Sequence, residues 1–140
     1  MTKLPIWMTV LVVIALLWNV MGLLAVLADL RLSAADIAAL PAEQQALYAA
    51  RPLWSVVASV VAVVGGTLGC IGLLFRQRWA LLLFWLSLAG VVIQDLGLFV
   101  VAGAAKSGNS VAFVLQGLVL LIAIALIALA RRANASAALL

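Results

Sequence analysis

Few side chains in this chain can do chemistry, and most of them interrupt apolar runs. Gln94 and Asp95 stand side by side within "LAGVVIQDLGLFV", whereas the other acidic residues, Asp29, Asp36 and Glu43, share one polar stretch. Asn19, Ser59 and Gln116 interrupt three further apolar runs, and Trp18 adjoins Asn19. An ionisable residue among apolar neighbours is a functional candidate by default, suited here to proton coupling or to contact with a cation or polar ligand. The amides and the hydroxyl suit neutral hydrogen bonds, either between helices or to a polar ligand.

The missing residue types narrow the chemistry further. The chain contains no histidine, which removes the commonest metal ligand and general base. Cys70 is the single cysteine, so an intramolecular disulfide is excluded, and it reads as a small apolar filler. The four carboxylates are too scattered for a metal cage, and no nucleophile–base pair can be assembled. No metal, cofactor or enzymatic activity is therefore expected. A proton relay would need more ionisable groups between Asp95 and the Arg76–Arg78 turn, and Trp79 to Gln94 contains none.

The elements that must position these groups are set by composition. Hydrophobic residues make up 69% of the 140-residue chain and charged ones 9%, against about half and a quarter in soluble domains. Four apolar runs stand out: 6–28, 53–75, 79–101 and 110–130. About 20 residues cross a ~30 Å hydrocarbon core as helix, and the alternation of barrel strands is absent. The fold expected is an all-α integral membrane domain, a four-transmembrane-helix bundle occupying the whole chain. Val26-Leu27-Ala28 looks like a cleavage site, but signal-peptide cores run only about 7–15 residues, so a retained helix is expected.

Lys3, Arg76, Arg78, Arg131 and Arg132 border the runs on one side with no acidic residue among them. On the other side Arg31, Arg51 and Lys106 are offset by Asp29, Asp36 and Glu43. Basic short loops stay cytoplasmic, which predicts a multi-pass membrane protein with both termini inside and segment 29–52 outside. The +4 charge is thus assigned to orientation in the lipid bilayer and not to nucleic acid. Within the outer segment, Ser33-Ala34-Ala35-Asp36 forms a capping-box pattern and Pro41 begins a second short helix through Tyr48. The tail after Arg131 is expected to fray.

Small residues recur at helical spacing and predict close helix packing. The stripes are Ala15, Asn19, Gly22 and Ala25; Ser55, Ser59, Ala62, Gly66 and Gly69; Ser87, Gly90, Gln94 and Gly97; and Ala112, Gln116 and Ala123. Gly65 and Gly69 make a further small-xxx-small pair. Counted at 1.5 Å per residue, Ser59, Gln94, Asp95 and Gln116 lie ~9–10 Å from the outer ends of their runs, and Asn19 ~13 Å. A polar layer in the outer half of the membrane follows if the stripes face inward together. Asp95 lies about 100° round the helix from Gln94, off the centre of that face.

The stretches "LLWNVMGLLAVL", "ALPAEQQALYAARPLW" and "GGTLGCIGLLFRQRWA" resemble a group of small, largely uncharacterised bacterial four-span membrane proteins, some labelled sugar transporters. The resemblance implies the same fold and location and transfers no site residue. The functional expectation is a non-enzymatic structural, accessory or partner-binding role, as a homo-oligomer or with a larger membrane-protein partner. The alternative is an oligomeric small-solute transporter using the outer polar layer.

Overall fold

Three prolines mark where helices begin. Pro5, Pro41 and Pro52 occupy N-cap positions with ψ of 149°, 151° and 152°, where a fixed φ suits helix entry and the missing amide proton leaves no ladder bond unmade. The computed structural model describes residues 3–101 and 110–136. Helices α1 (Ile6–Leu30), α3 (Ala42–Ala50) and α4 (Leu53–Leu74) follow the three prolines directly. Between α1 and α3, α2 (Ala34–Ala38) opens on a reciprocal capping box: the Ser33 hydroxyl accepts from the Asp36 amide at 3.1 Å, and the Asp36 carboxylate accepts from the Ser33 amide at 2.9 Å. The backbone bond first, and then the hydroxyl, hold the Asp36 carboxyl below its usual range. The order is completed by α5 (Trp79–Asp95), a π-helical turn Leu96–Val101, and α6 (Ser110–Ala135). No strand occurs among the described residues.

Four helices, α1, α4, α5 with its π extension, and α6, are long and apolar enough to cross a membrane. They mark a membrane-embedded, multi-pass chain. Their limits differ from the apolar runs chiefly at α6, which continues helical to Ala135 where the sequence suggested fraying from Arg131. Arg and Ala are good helix formers, so the ladder runs on past the end of the apolar stretch. Lys106 lies outside the described residues, as do the side chains of Glu43 and Ala112.

An antiparallel pair, α4 and α5, forms the centre, with α1 along α4 and α6 along α5. The central seam is built by missing side chains. A Cβ on Gly90 would lie 2.7 Å from the Ala58 carbonyl oxygen and 2.9 Å from the Ala62 nitrogen. One on Gly65 would lie 3.1 Å from the Leu83 carbonyl oxygen. The two backbones therefore nearly touch, and the buried Ser87 hydroxyl donates across the seam to the Ala62 carbonyl at 2.7 Å. The Phe84 ring covers Gly69, the Trp79 ring covers Gly72, and Ser55 fills the space beside Gly97. Gly22 faces Val63 on the α1–α4 side.

The α4–α5 turn is a Schellman motif. Gln77 donates to the Gly72 carbonyl at 2.8 Å and Arg76 to the Leu73 carbonyl at 2.9 Å, with Arg76 at φ 57°. Around this end of the bundle the core is continuous. Met8, Val12 and Ala15 of α1 cluster with Leu126, Ile127, Ala130 and Ala133 of α6, over Cys70, Leu73, Ala80 and Phe84. The basic residues Lys3, Arg76, Arg78, Arg131 and Arg132 collect at the same end by topology, and the Arg132 guanidinium lies 5.2 Å from the centre of the Trp7 ring.

At the opposite end a polar latch ties α3 to α1. Arg51 pairs with the Asp29 carboxylate at 3.0 Å, Tyr48 donates its hydroxyl proton to the same carboxylate, and Arg51 lies over the Tyr48 ring at 4.9 Å. Burial first, and then the bond to Asp29, hold the Tyr48 phenol above its usual range, against the opposing charge of Arg51. A raised phenol keeps its proton in the fold. Its contribution is therefore complete below the ordinary tyrosine value of ~10 and is lost as pH climbs through the higher folded value. Tyr48→Phe is expected to lower stability by about 1 kcal/mol, with parent and variant converging well above pH ~10. Thermal unfolding at neutral and at alkaline pH checks both expectations.

Candidate functional site

The polar residues in the apolar helices are positioned by the glycine seam and by the change of helix type in the third apolar segment. At Leu96 the α-helix gives way to π geometry, and a register change from i→i+4 to i→i+5 leaves a carbonyl needing another donor. At this junction the fully buried Ser55 donates to the Gln94 carbonyl at 3.2 Å. Phe99 in the π turn stacks on Phe113 of α6 at 4.8 Å and 20°. That contact holds α6 where the Gln94 side chain donates to the side-chain oxygen Oε1 of Gln116 at 3.3 Å.

Deeper toward the Arg76 end, Asn19 folds back on its own helix and donates to the Ala15 carbonyl at 2.8 Å. A longer contact reaches the Cys70 sulfur at 3.9 Å. The other side of the amide, Oδ1, occupies the space that a Cβ on Gly66 would need, and the Ser87 hydroxyl would lie 3.3 Å from that same Cβ. Gly66 is thus the gap into which the Asn19 amide and Ser87 converge.

Between these two polar groups lies a cavity of about 360 Å³. Trp18, Asn19, Gly22, Val26, Met21 and Ala25 of α1 form one wall, and Leu115, Gln116, Val119 and Ile122 of α6 face them. Ser87, Val91 and Gln94 of α5, with Ala62 and Val63 of α4, form the back. Leu126 and Ala123 line the lower end, where the packed core of Ala15, Leu126 and Ile127 shuts it. Met21 and Leu115, both well exposed, mark the rim where α1 and α6 stand apart. Among the described residues, no lining side chain carries a charge.

Of the residues singled out from sequence, Trp18, Asn19, Gln94 and Gln116 come together around this cavity. Ser59 and Asp95 do not line it. The Ser59 hydroxyl turns back to the Ser55 carbonyl at 3.1 Å. Asp95 faces away from Gln94, half-buried, with its Oδ1 buried and bonded to nothing among the described residues. The layer is therefore split: neutral amides face the cavity and the carboxylate faces elsewhere. Gly22 lines the cavity, while Gly65, Gly69, Gly90 and Gly97 sit in helix contacts and Gly66 receives Asn19. The cavity role of Ser87 was not assigned from sequence, although its seven-residue spacing from Gln94 puts both on one face of α5. The π turn had no legible signal.

Among the described residues, no three His, Cys, Asp or Glu side chains lie together as a metal site. The cavity can therefore offer hydrogen bonds and apolar contact. No protein-family model, curated protein or solved structure matches the chain.

Proposed function

We propose that this chain is a non-enzymatic accessory protein of a bacterial inner membrane, with both termini cytoplasmic, that binds an uncharged molecule drawn from the bilayer. It belongs by its motifs with the small bacterial four-span proteins. The observation that carries the reading is the cavity between α1 and α6, whose described lining is uncharged, with apolar walls and neutral hydrogen-bonding side chains. Ligand pockets combine those two features in volumes of about 300–1,000 Å³. The apolar body of a ligand from lipid has already left water, and the neutral amides can replace the water bonds of an uncharged polar group, whereas a charged solute would meet no counter-charge among the described lining residues. A molecule seated between α1 and α6 also sets their spacing, which gives the bound state a structural role.

The experiment uses the full chain in lipid nanodiscs and a spin-labelled fatty alcohol as probe. Saturable binding is expected in the parent and in Leu118→Trp, whose side chain is exposed outside the cavity. Val119→Trp places an indole inside the cavity and is expected to weaken binding at least about tenfold, or 1.4 kcal/mol. Non-saturable partitioning that is equal in all three proteins would overturn the reading.

A further inference from the structure

We infer that the ligand is an elongated neutral alcohol: a hydroxyl at its inner end, an apolar body, and a second uncharged oxygen ~10 Å away. This rests on the reading of the cavity as a lipid-ligand site and goes on to specify what the site recognises. The polar atoms are not scattered over the cavity wall but form two separate stations. Gln94 and Gln116 make the first, and Asn19 with Ser87 makes the second. Ser87 and Gln94 are seven residues apart on one face of α5, which at 1.5 Å per residue separates the stations by ~10.5 Å. The wall between them is apolar: Ala62, Val91, Val119 and Ala123.

The stations differ in what they can still bond. At the inner one the Ser87 hydroxyl proton goes to the Ala62 carbonyl and the Asn19 amide group donates to the Ala15 carbonyl and toward Cys70. Acceptors are what remain there, namely Asn19 Oδ1 and the lone pairs of Ser87 Oγ. An acceptor-only station selects a donor, and the uncharged donor that dissolves in a bilayer is a hydroxyl. At the outer station the Gln94 side chain donates to Gln116 Oε1, which leaves Gln94 Oε1 as acceptor and the Gln116 Nε2 amide group as donor among the described residues. Either a hydroxyl or a carbonyl fits that end.

The shape excludes a transmembrane helix as occupant. A helix seated along the bundle needs a groove of ~30 Å, and here the core of Ala15, Leu126 and Ile127 shuts the lower end. Among the described residues no charged side chain lines the cavity, so none of them offers a phosphate headgroup a counter-charge.

The test displaces the spin-labelled fatty alcohol from the full chain with α,ω-alkanediols of increasing length and with their mono- and dimethyl ethers. Displacement is expected to peak at the diol whose oxygens lie ~10 Å apart. The monomethyl ether should compete like the diol, and the dimethyl ether about tenfold more weakly. Asn19→Leu should abolish that difference between diol and dimethyl ether, and Gln94→Leu should flatten the length optimum while the diol preference stays. Displacement that rises steadily with chain length, with diol and dimethyl ether alike, overturns the two-station inference. Absence of saturable probe binding to the parent protein instead overturns the cavity reading beneath it.

Discussion

Gly90→Leu is expected to prevent assembly of the bundle, whereas Gly117→Leu leaves it intact. At Gly90 the added side chain meets α4 backbone: the Ala58 carbonyl oxygen at 2.7 Å and the Ala62 nitrogen at 2.9 Å from Cβ alone. A flexible side chain can move away from such a contact, but a helix backbone moves only as a whole. Overpacking costs about 1–3 kcal/mol where neighbours can adjust, and prising α4 from α5 adds loss of the buried Ser87–Ala62 bond. Against a total stability of about 5–15 kcal/mol, that combination removes much of the margin. At Gly117 nothing lies within 4 Å of the added Cβ, so leucine there meets open space. Size-exclusion profiles and thermal unfolding in detergent read the result. A monodisperse Gly90→Leu protein with the parent's unfolding midpoint would show that the seam is looser than described.

The second large effect runs in the opposite direction. Asp95→Leu is expected to stabilise the protein, because it removes a buried carboxylate oxygen that has no partner among the described residues. An orphaned polar atom costs about 1–3 kcal/mol, more when charged, and leucine fills a similar volume without it. Asp95→Asn should gain little, since an amide in the same place has its own bonds to satisfy. The same thermal measurement checks both variants, and a midpoint lowered by leucine would mean that the carboxylate is held by an attractive contact. Because Asp95 does not line the cavity, neither substitution should alter displacement of the fatty alcohol, which separates this residue from the binding reading.

Much of this architecture is legible from local rules. Span lengths follow from apolar run lengths, and the helix starts follow from Pro5, Pro41, Pro52 and the Ser33–Asp36 pattern. The stripe through Ser87, Gly90, Gln94 and Gly97 is also a matter of helical period alone. What depends on how far apart helices stand is not legible in this way. Depth along a helix places Gln94, Asp95, Ser59 and Gln116 at one level, but whether they share a cavity depends on the angles at which α1 and α6 lean. Asn19 likewise has a local alternative, its own Ala15 carbonyl, and that bond turns its oxygen toward Gly66. Arg76 takes the left-handed position where glycine is usual, so the turn carries no glycine signal. The latch of Asp29, Tyr48 and Arg51 joins residues whose approach is decided by the path of α2 and α3.

The convergence of α1 and α6 at one end only has a consequence for biogenesis. The first and last of the four helices meet through Met8, Val12 and Ala15 against Leu126, Ile127, Ala130 and Ala133. The glycine seam between α4 and α5 needs neither of them and can zip as soon as both helices leave the ribosome. The base of the pocket, by contrast, does not exist until the final helix has been translated. A chain stalled before Leu126 therefore holds a packed α4–α5 centre with no floor to the cavity, although the Asn19 amide already has its bond to Ala15 and its place against Gly66.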